Sequence, residues 1–266
     1  MTKKQPKERL DLLLVERRLA ESRAQAQRLI RAGLVRVAGQ VADKPGTRVA
    51  ANAKITLQAR PRFVGRGGDK LEAALTRFGL DVSGVVAADV GASTGGFTDC
   101  LLQHGASRVY AIDVGYGQLD WRLRNDPRVV VMERTNARYL ESLPETVGLV
   151  TADVSFISLR LILPVAVRWL RPDGQVVALI KPQHEAGRRE VGKGGVVRDP
   201  EVHRAVLSRV VEAAAETGLG LRGLMPSPLR RPAGNIEFLG WWRVGTQGLA
   251  AEEAIAVCLE EGESKG

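Results

Sequence analysis

Apolar residues recur at helical spacing over 8–19, at Leu10, Leu13, Leu14 and Leu19. A second helix is expected from Ser22, which makes a capping-box pattern with Gln25, and Gly33 suits a left-handed helix end. Residues 34–41 alternate apolar and polar around Ala38-Gly39, the signature of a hairpin. Pro45-Gly46 marks a turn, and 53–57 reads as a short strand. Residues 60–68 are dense in Pro, Gly and Arg and read as a linker. Beyond them, short apolar runs alternate with helical periodicity. Strands are expected over 85–89, 109–113, 129–132, 149–153 and 176–181, with a last one over 235–244. Helices are expected over 70–79, 97–104, 116–124, 160–170 and 200–217. This alternation predicts an α/β fold with a doubly wound, Rossmann-like sheet, preceded by a small α+β module. The expected division is 1–59 for the module, 60–68 for the linker and 69–266 for the sheet domain.

Charge sharpens that division. The 266 residues carry a net charge of +9. Residues 1–70 hold 17 Lys+Arg against 6 Asp+Glu, a net of +11, and the rest of the chain is at −2. A polyanion-binding module on a nearly neutral body is the implied design. Arg9, Arg17, Arg18, Arg23, Arg28 and Arg31 are its candidate phosphate contacts, and no acid follows the second helix's arginines at i+4. A solvated helix face is the alternative. Arg66 joins the set from the linker. Arg188, Arg189 and Lys193 join it from a glycine-rich stretch, 185–199, which reads as a mobile lid, an RNA-contacting flap or a flexible connection. No apolar run approaches the roughly 20 residues that span a bilayer. Cys100 and Cys258 lie far apart and suggest neither a metal site nor a disulfide framework, so a reducing cytoplasm is expected.

Ligands of open α/β sheets bind at the carboxyl ends of strands. Asp89, Gly91, Ser93, Thr94, Gly95, Gly96 and Phe97 follow the first of these strands, and Asp113 ends the second. The loop lacks the Gly-x-Gly pair of a dinucleotide site. It opens on a carboxylate, which suits an ammonium better than a pyrophosphate, and Asp113 is placed to accept from ribose hydroxyls. S-adenosylmethionine offers an ammonium, a sulfonium and a ribose diol, and is the expected cofactor.

Four charged residues stand beside strand ends or glycine turns: Lys70, Asp153, Lys181 and Glu237. Each alone could be a solvated structural charge. Together they suit methylation of an alcohol, because a neutral lysine amine can take the hydroxyl proton while carboxylates orient it. Lys181 is the expected base, with Lys70, Asp153 and Glu237 positioning it; the lysines could exchange roles. Methylation at pyrimidine carbon would call for a Cys nucleophile near the fourth or fifth strand, and none is there. Methylation of an exocyclic amine would call for an Asp/Asn-Pro-Pro-aromatic loop, where Val154-Ser155-Phe156 stands instead.

These motifs carry a resemblance. Arg9-Leu10-Asp11, Ser22-Arg23, Leu29-Ile30, Gly33-Leu34-Val35 and Pro45-Gly46 resemble the S-four-type RNA-binding domain. The whole chain resembles the TlyA family, haemolysin-labelled proteins similar to FtsJ-type ribosomal RNA 2′-O-methyltransferases. The shared features are the stretch around Arg66-Gly67-Gly68 with Lys70, the loop from Asp89 to Asp99, Ala152-Asp153-Val154-Ser155-Phe156, Lys181-Pro182-Gln183 with Glu185, and Gly234-Asn235 with Glu237. The resemblance implies a class I methyltransferase sheet, S-adenosylmethionine as cofactor, a Lys70-Asp153-Lys181-Glu237 tetrad, and a cytidine ribose of ribosomal RNA or subunits as substrate. Ala38, Gly65 and His184 depart from the family pattern outside the tetrad. Two other readings stay open: a non-catalytic ribosome-assembly factor, and the haemolysin of the family label.

Overall fold

The computed structural model describes residues 7–58, 61–187, 189–229 and 234–263. It divides into two compact units, residues 1–61 and 62–266. In the first, β1 (Lys7–Arg9) runs into α1 (Leu10–Glu16) and α2 (Arg23–Arg31) follows. Ser22 caps α2 by accepting from Gln25 N, the bond the capping-box pattern foretells. Then come β2 (Val35–Val37), β3 (Gln40–Val41), β4 (Arg48–Ala50) and β5 (Ile55–Leu57). β1 pairs with β4, while β2 is flanked by β3 and β5, all antiparallel. Leu10, Leu14, Ala26, Ile30 and Val35 form a small buried core, the helical apolar stripe closed by one strand residue.

The second unit contains α3 (Gly67–Phe78), β6 (Val86–Val90), α4 (Gly96–Gln103), β7 (Arg108–Ile112), α5 (Trp121–Arg124), β8 (Val129–Met132), β9 (Val147–Ala152) and α6 (Leu163–Trp169). It continues with β10 (Leu170–Ile180), α7 (Pro182–Glu185), α8 (Pro200–Glu216), β11 (Leu219–Pro226), β12 (Phe238–Val244) and α9 (Ala251–Glu263). The strand order is β11-β12-β10-β9-β6-β7-β8. β10 to β8 are parallel and β12 runs against both its neighbours, so the sheet is α/β, Rossmann-like and mixed. Its central strands β6, β7 and β9 and the second half of β10 are buried on both faces, which is why they read as continuous apolar runs rather than alternating ones.

Several boundaries differ from the sequence expectation. Residues 62–68, read as linker, belong to the second unit: Phe63 is buried and Val64 N donates to Asp99 Oδ2 at 2.8 Å. The helix expected over 116–124 forms only at 121–124, where Asp120 supplies the cap. The helix of 160–170 begins as a 3-10 turn at 159–161 and ends at Trp169. β11 and α9 were not expected. Glu237 precedes β12 instead of interrupting it.

Candidate active site

Three strand ends converge at the carboxyl edge of the sheet. Asp153 follows β9, and its N–H donates to Val90 O at 2.9 Å. Ile180, the last residue of β10, pairs with Phe238, the first of β12. Lys181 and Glu237 are the next residues in that register, so antiparallel pairing brings them alongside each other. Lys70 comes from α3, whose first turn abuts Asp153: a Cβ on Gly67 would lie 3.8 Å from Asp153 Oδ2. Two ion pairs result. Lys181 Nζ is 2.5 Å from Asp153 Oδ1, and Lys70 Nζ is 2.5 Å from Glu237 Oε2. Lys181 and Glu237 are buried. A buried lysine–carboxylate pair costs desolvation that apolar side chains would not, and these pairs sit at the strand ends where open α/β sheets carry ligands.

A cleft of about 700 Å³ opens here, with Gly91, Ser93, Asp113, Asp153, Ser155 and Phe156 in its wall. Asp113 is tied in place by backbone donors: Ser93 N reaches Oδ2 at 2.8 Å and Gly115 N reaches Oδ1 at 2.7 Å. Each oxygen keeps a further lone pair for a ligand hydroxyl. Gly91 (φ +81°) passes so close to β9 that a Cβ would lie 2.7 Å from Asp153 O.

The rest of the expected cofactor set does not wall the cleft. Asp89 is fully buried, accepting from Thr98 Oγ1 at 2.7 Å and Thr151 Oγ1 at 3.0 Å. Burial pushes its carboxyl up to about 6, against the pull of those hydroxyls. Thr94 is exposed outside the cleft wall. Gly95 (φ +97°) opens α4, where a Cβ would meet Leu123 Cδ1 at 2.2 Å; one on Gly96 would lie 2.9 Å from Gly68 N. Phe97 is in the core. These residues shape the loop from behind.

Sequence reasoning passed over three polar residues. Ser155 Oγ accepts from Lys181 Nζ at 2.9 Å. Buried Glu185 accepts from Ser158 Oγ at 2.5 Å and Leu159 N at 2.7 Å. Buried Asn235 accepts from Val197 N at 3.0 Å and donates to Gly195 O at 2.8 Å. Their sequence signal is membership of the motifs that carry the family resemblance, within two to four residues of the tetrad, with no role attached to them. Asn235 also ties part of the glycine-rich stretch, a hairpin bridged at Gly192–Val196, to the segment that precedes β12.

The candidate RNA contacts fall into groups. Arg9 and Arg23 both donate to Asp11, whose buried carboxylate also accepts from Gln27. The absence of an acid at i+4 therefore did not leave Arg23 unpaired, because its acid comes from α1. Arg17 donates to Ala51 O and, at 2.6 Å, to Ala53 O, a structural tether. Arg18, Arg28 and Arg31 are exposed, as are Arg66, Arg189 and Lys193 in the second unit. Arg188 lies outside the described residues. No group of three metal-ligating side chains occurs among the described residues.

Comparison with known proteins finds methyltransferase and S4 matches along the chain. A family model described as FtsJ-like methyltransferase matches residues 63–244, and one for the S4 domain matches 8–55. YqxC of Bacillus subtilis, provisionally named an rRNA methyltransferase, is 51% identical over 96% of this chain and 94% of that protein. The 16S/23S rRNA (cytidine-2′-O)-methyltransferase TlyA of Mycobacterium tuberculosis is 47% identical over 96% and 98%. A solved structure from Streptococcus thermophilus that carries the hemolysin label superposes with a TM-score of 0.73 at 43% identity, covering 98% of both chains.

Proposed function

The chain belongs to the FtsJ-like methyltransferase family, and from that membership we propose that it methylates a ribose 2′-hydroxyl, that of a cytidine, in ribosomal RNA. The methyl donor in this reading is S-adenosylmethionine and the setting is the cytoplasm. The observation that carries it is the pair of lysine–carboxylate contacts, Lys181–Asp153 and Lys70–Glu237, of which Asp153 reaches the wall of the strand-end cleft while the other three residues lie behind it. The S4 domain, the +11 of residues 1–70 and the TlyA relative's name support RNA as the acceptor.

The cleft fits the donor in size, and Asp113 has the free lone pairs that a ribose diol requires. Gly91, Ser93 and Asp113 would hold it. S-adenosylmethionine, when bound, supplies an electrophilic methyl group on a sulfonium. Lys181, as the free amine, takes the 2′-hydroxyl proton at Nζ. Asp153 Oδ1, 2.5 Å away, then stabilises the ammonium so formed. Lys70, fixed by Glu237, places a positive charge where the oxygen turns anionic.

The test is transfer of labelled methyl from S-adenosylmethionine to undermethylated ribosomal subunits, with the product mapped by ribose methylation. Wild type should modify a ribose, and Lys181→Ala should abolish transfer while calorimetry shows the donor still bound. Transfer at the wild-type rate by Lys181→Ala would overturn the mechanism. Binding to subunits without any transfer would favour an assembly factor.

A further inference from the structure

We infer that Ser155 is a positioning residue for Lys181, and that buried Glu185 holds in shape the loop that carries Ser155. The inference rests on the ribose-methylation reading above.

The loop that leaves β9 is fastened to the segment that leaves β10 at two places one helical turn apart. At the first, Lys181 Nζ contacts Asp153 Oδ1 and donates to Ser155 Oγ at 2.9 Å. At the second, Glu185 receives Ser158 Oγ at 2.5 Å and Leu159 N at 2.7 Å. Between them sits Phe156, at φ +64° and 93% exposed. An aromatic residue rarely adopts that backbone region, and the Phe156 ring meets that of His184 with centroids 5.1 Å apart, a further contact between the same two segments. Val154 and Ile157 pack only partly against the core. The loop's shape is therefore imposed by its two polar fastenings together with that ring contact.

Glu185 is an expensive fastening. It is 7% exposed, and its two bonds to the loop come from a neutral hydroxyl and a backbone N–H. A carboxylate in such a place costs desolvation that an apolar side chain would avoid. The bonds it makes fix Ser158 at the head of the 3-10 turn, three residues from Ser155.

Ser155 adds direction to the lysine. An ammonium has three donors, and with one acceptor it can rotate about Cε–Nζ. With Asp153 and Ser155 both held, the third tetrahedral position is set. In the transfer the ribose O–H bond breaks and an N–H bond forms at that position, while the bonds to Asp153 and Ser155 persist.

The test is the pH profile of methyl transfer for wild type, Ser155→Ala, Ser155→Thr and Glu185→Gln, with melting temperature and donor binding measured alongside. Ser155→Ala should lose roughly ten- to hundredfold in kcat, the size expected when a hydrogen bond to a charged reacting group is removed. KM should stay within about twofold. Its pH profile should differ from that of the wild type, because the lost bond acts on the nitrogen that receives the proton. Ser155→Thr, which keeps the hydroxyl, should restore both kcat and the profile, and Glu185→Gln should change both in the same direction as Ser155→Ala. A Ser155→Ala protein with wild-type kcat and pH profile overturns the inference, as does equal loss in Ser155→Ala and Ser155→Thr. These outcomes leave ribose methylation standing; wild type that methylates no ribose overturns that reading itself.

Discussion

Two buried carboxylates do opposite things. Asp11 is held well below the usual carboxylate range, first by the Arg9 guanidinium and then by Gln27 and Arg23, with burial opposing. Its contribution to stability is present at neutral pH and is lost as pH falls below about 4. Asp89, pushed up to about 6 by burial, contributes stability below its unfolded value near 4 and loses it as pH rises through 6. Asp89→Asn removes that titration. Denaturant melts should show the wild type less stable, relative to Asp89→Asn, at pH 7 than at pH 4, by roughly 2–3 kcal/mol. A constant difference across that window would contradict the assignment. Asp11→Ala should cost about 1–3 kcal/mol at pH 7, because it strips one acceptor from three side-chain donors. It should also weaken binding to a structured RNA, because Arg9 and Arg23 lose their common anchor.

At the scale of elements, the segment 62–68 and the start of α4 are one packed piece. A Cβ on Gly68 would lie 2.2 Å from Phe63 Cγ, and one on Gly96 would press on the 65–68 backbone. Gly68→Ala should lower stability by about 1–3 kcal/mol, an overpacking cost, read as a drop in melting temperature. The Pro-Gly-Arg composition of this stretch reads as a linker because what fastens it is packing of Phe63 on the first turn of α3 and a bond from Val64 N to Asp99 of α4, neither of which composition reveals. The same blindness hid the role of Asn235. Its amide joins a hairpin some 40 residues away, and Asn235→Ala should speed amide exchange at Val197 while leaving the sheet protected. Helix 116–124 failed for a local reason. Asp113 takes Gly115 N, Glu133 takes Gly117 N, and two glycines keep 115–120 open until Asp120 caps the last turn.

For the molecule as a whole, the charge excess belongs to the first unit: residues 1–61 hold 14 Lys+Arg against 5 Asp+Glu, a net of +9, and residues 62–266, which contain both paired lysines, hold 25 of each. Arg28 and Arg31, exposed in the last turn of α2, are the best candidates there for free phosphate contacts. Replacing both by Ala should lower the slope of log affinity against log salt by about 1.5 and weaken binding to all RNA sequences alike. The amino-acid sequence by itself determined the alternation of buried strands and helices, the charge boundary, and four candidate tetrad residues. Those are local or compositional properties that hydrophobic period and motif spacing encode directly. Only the tertiary structure decided which carboxylate meets which lysine, that Asp89 lies beneath the cleft and Asp113 at its wall, and that Ser155 and Glu185 belong with Lys181. Those depend on strand register and on contacts between segments tens of residues apart, where one step of register turns a side chain to the other face of the sheet.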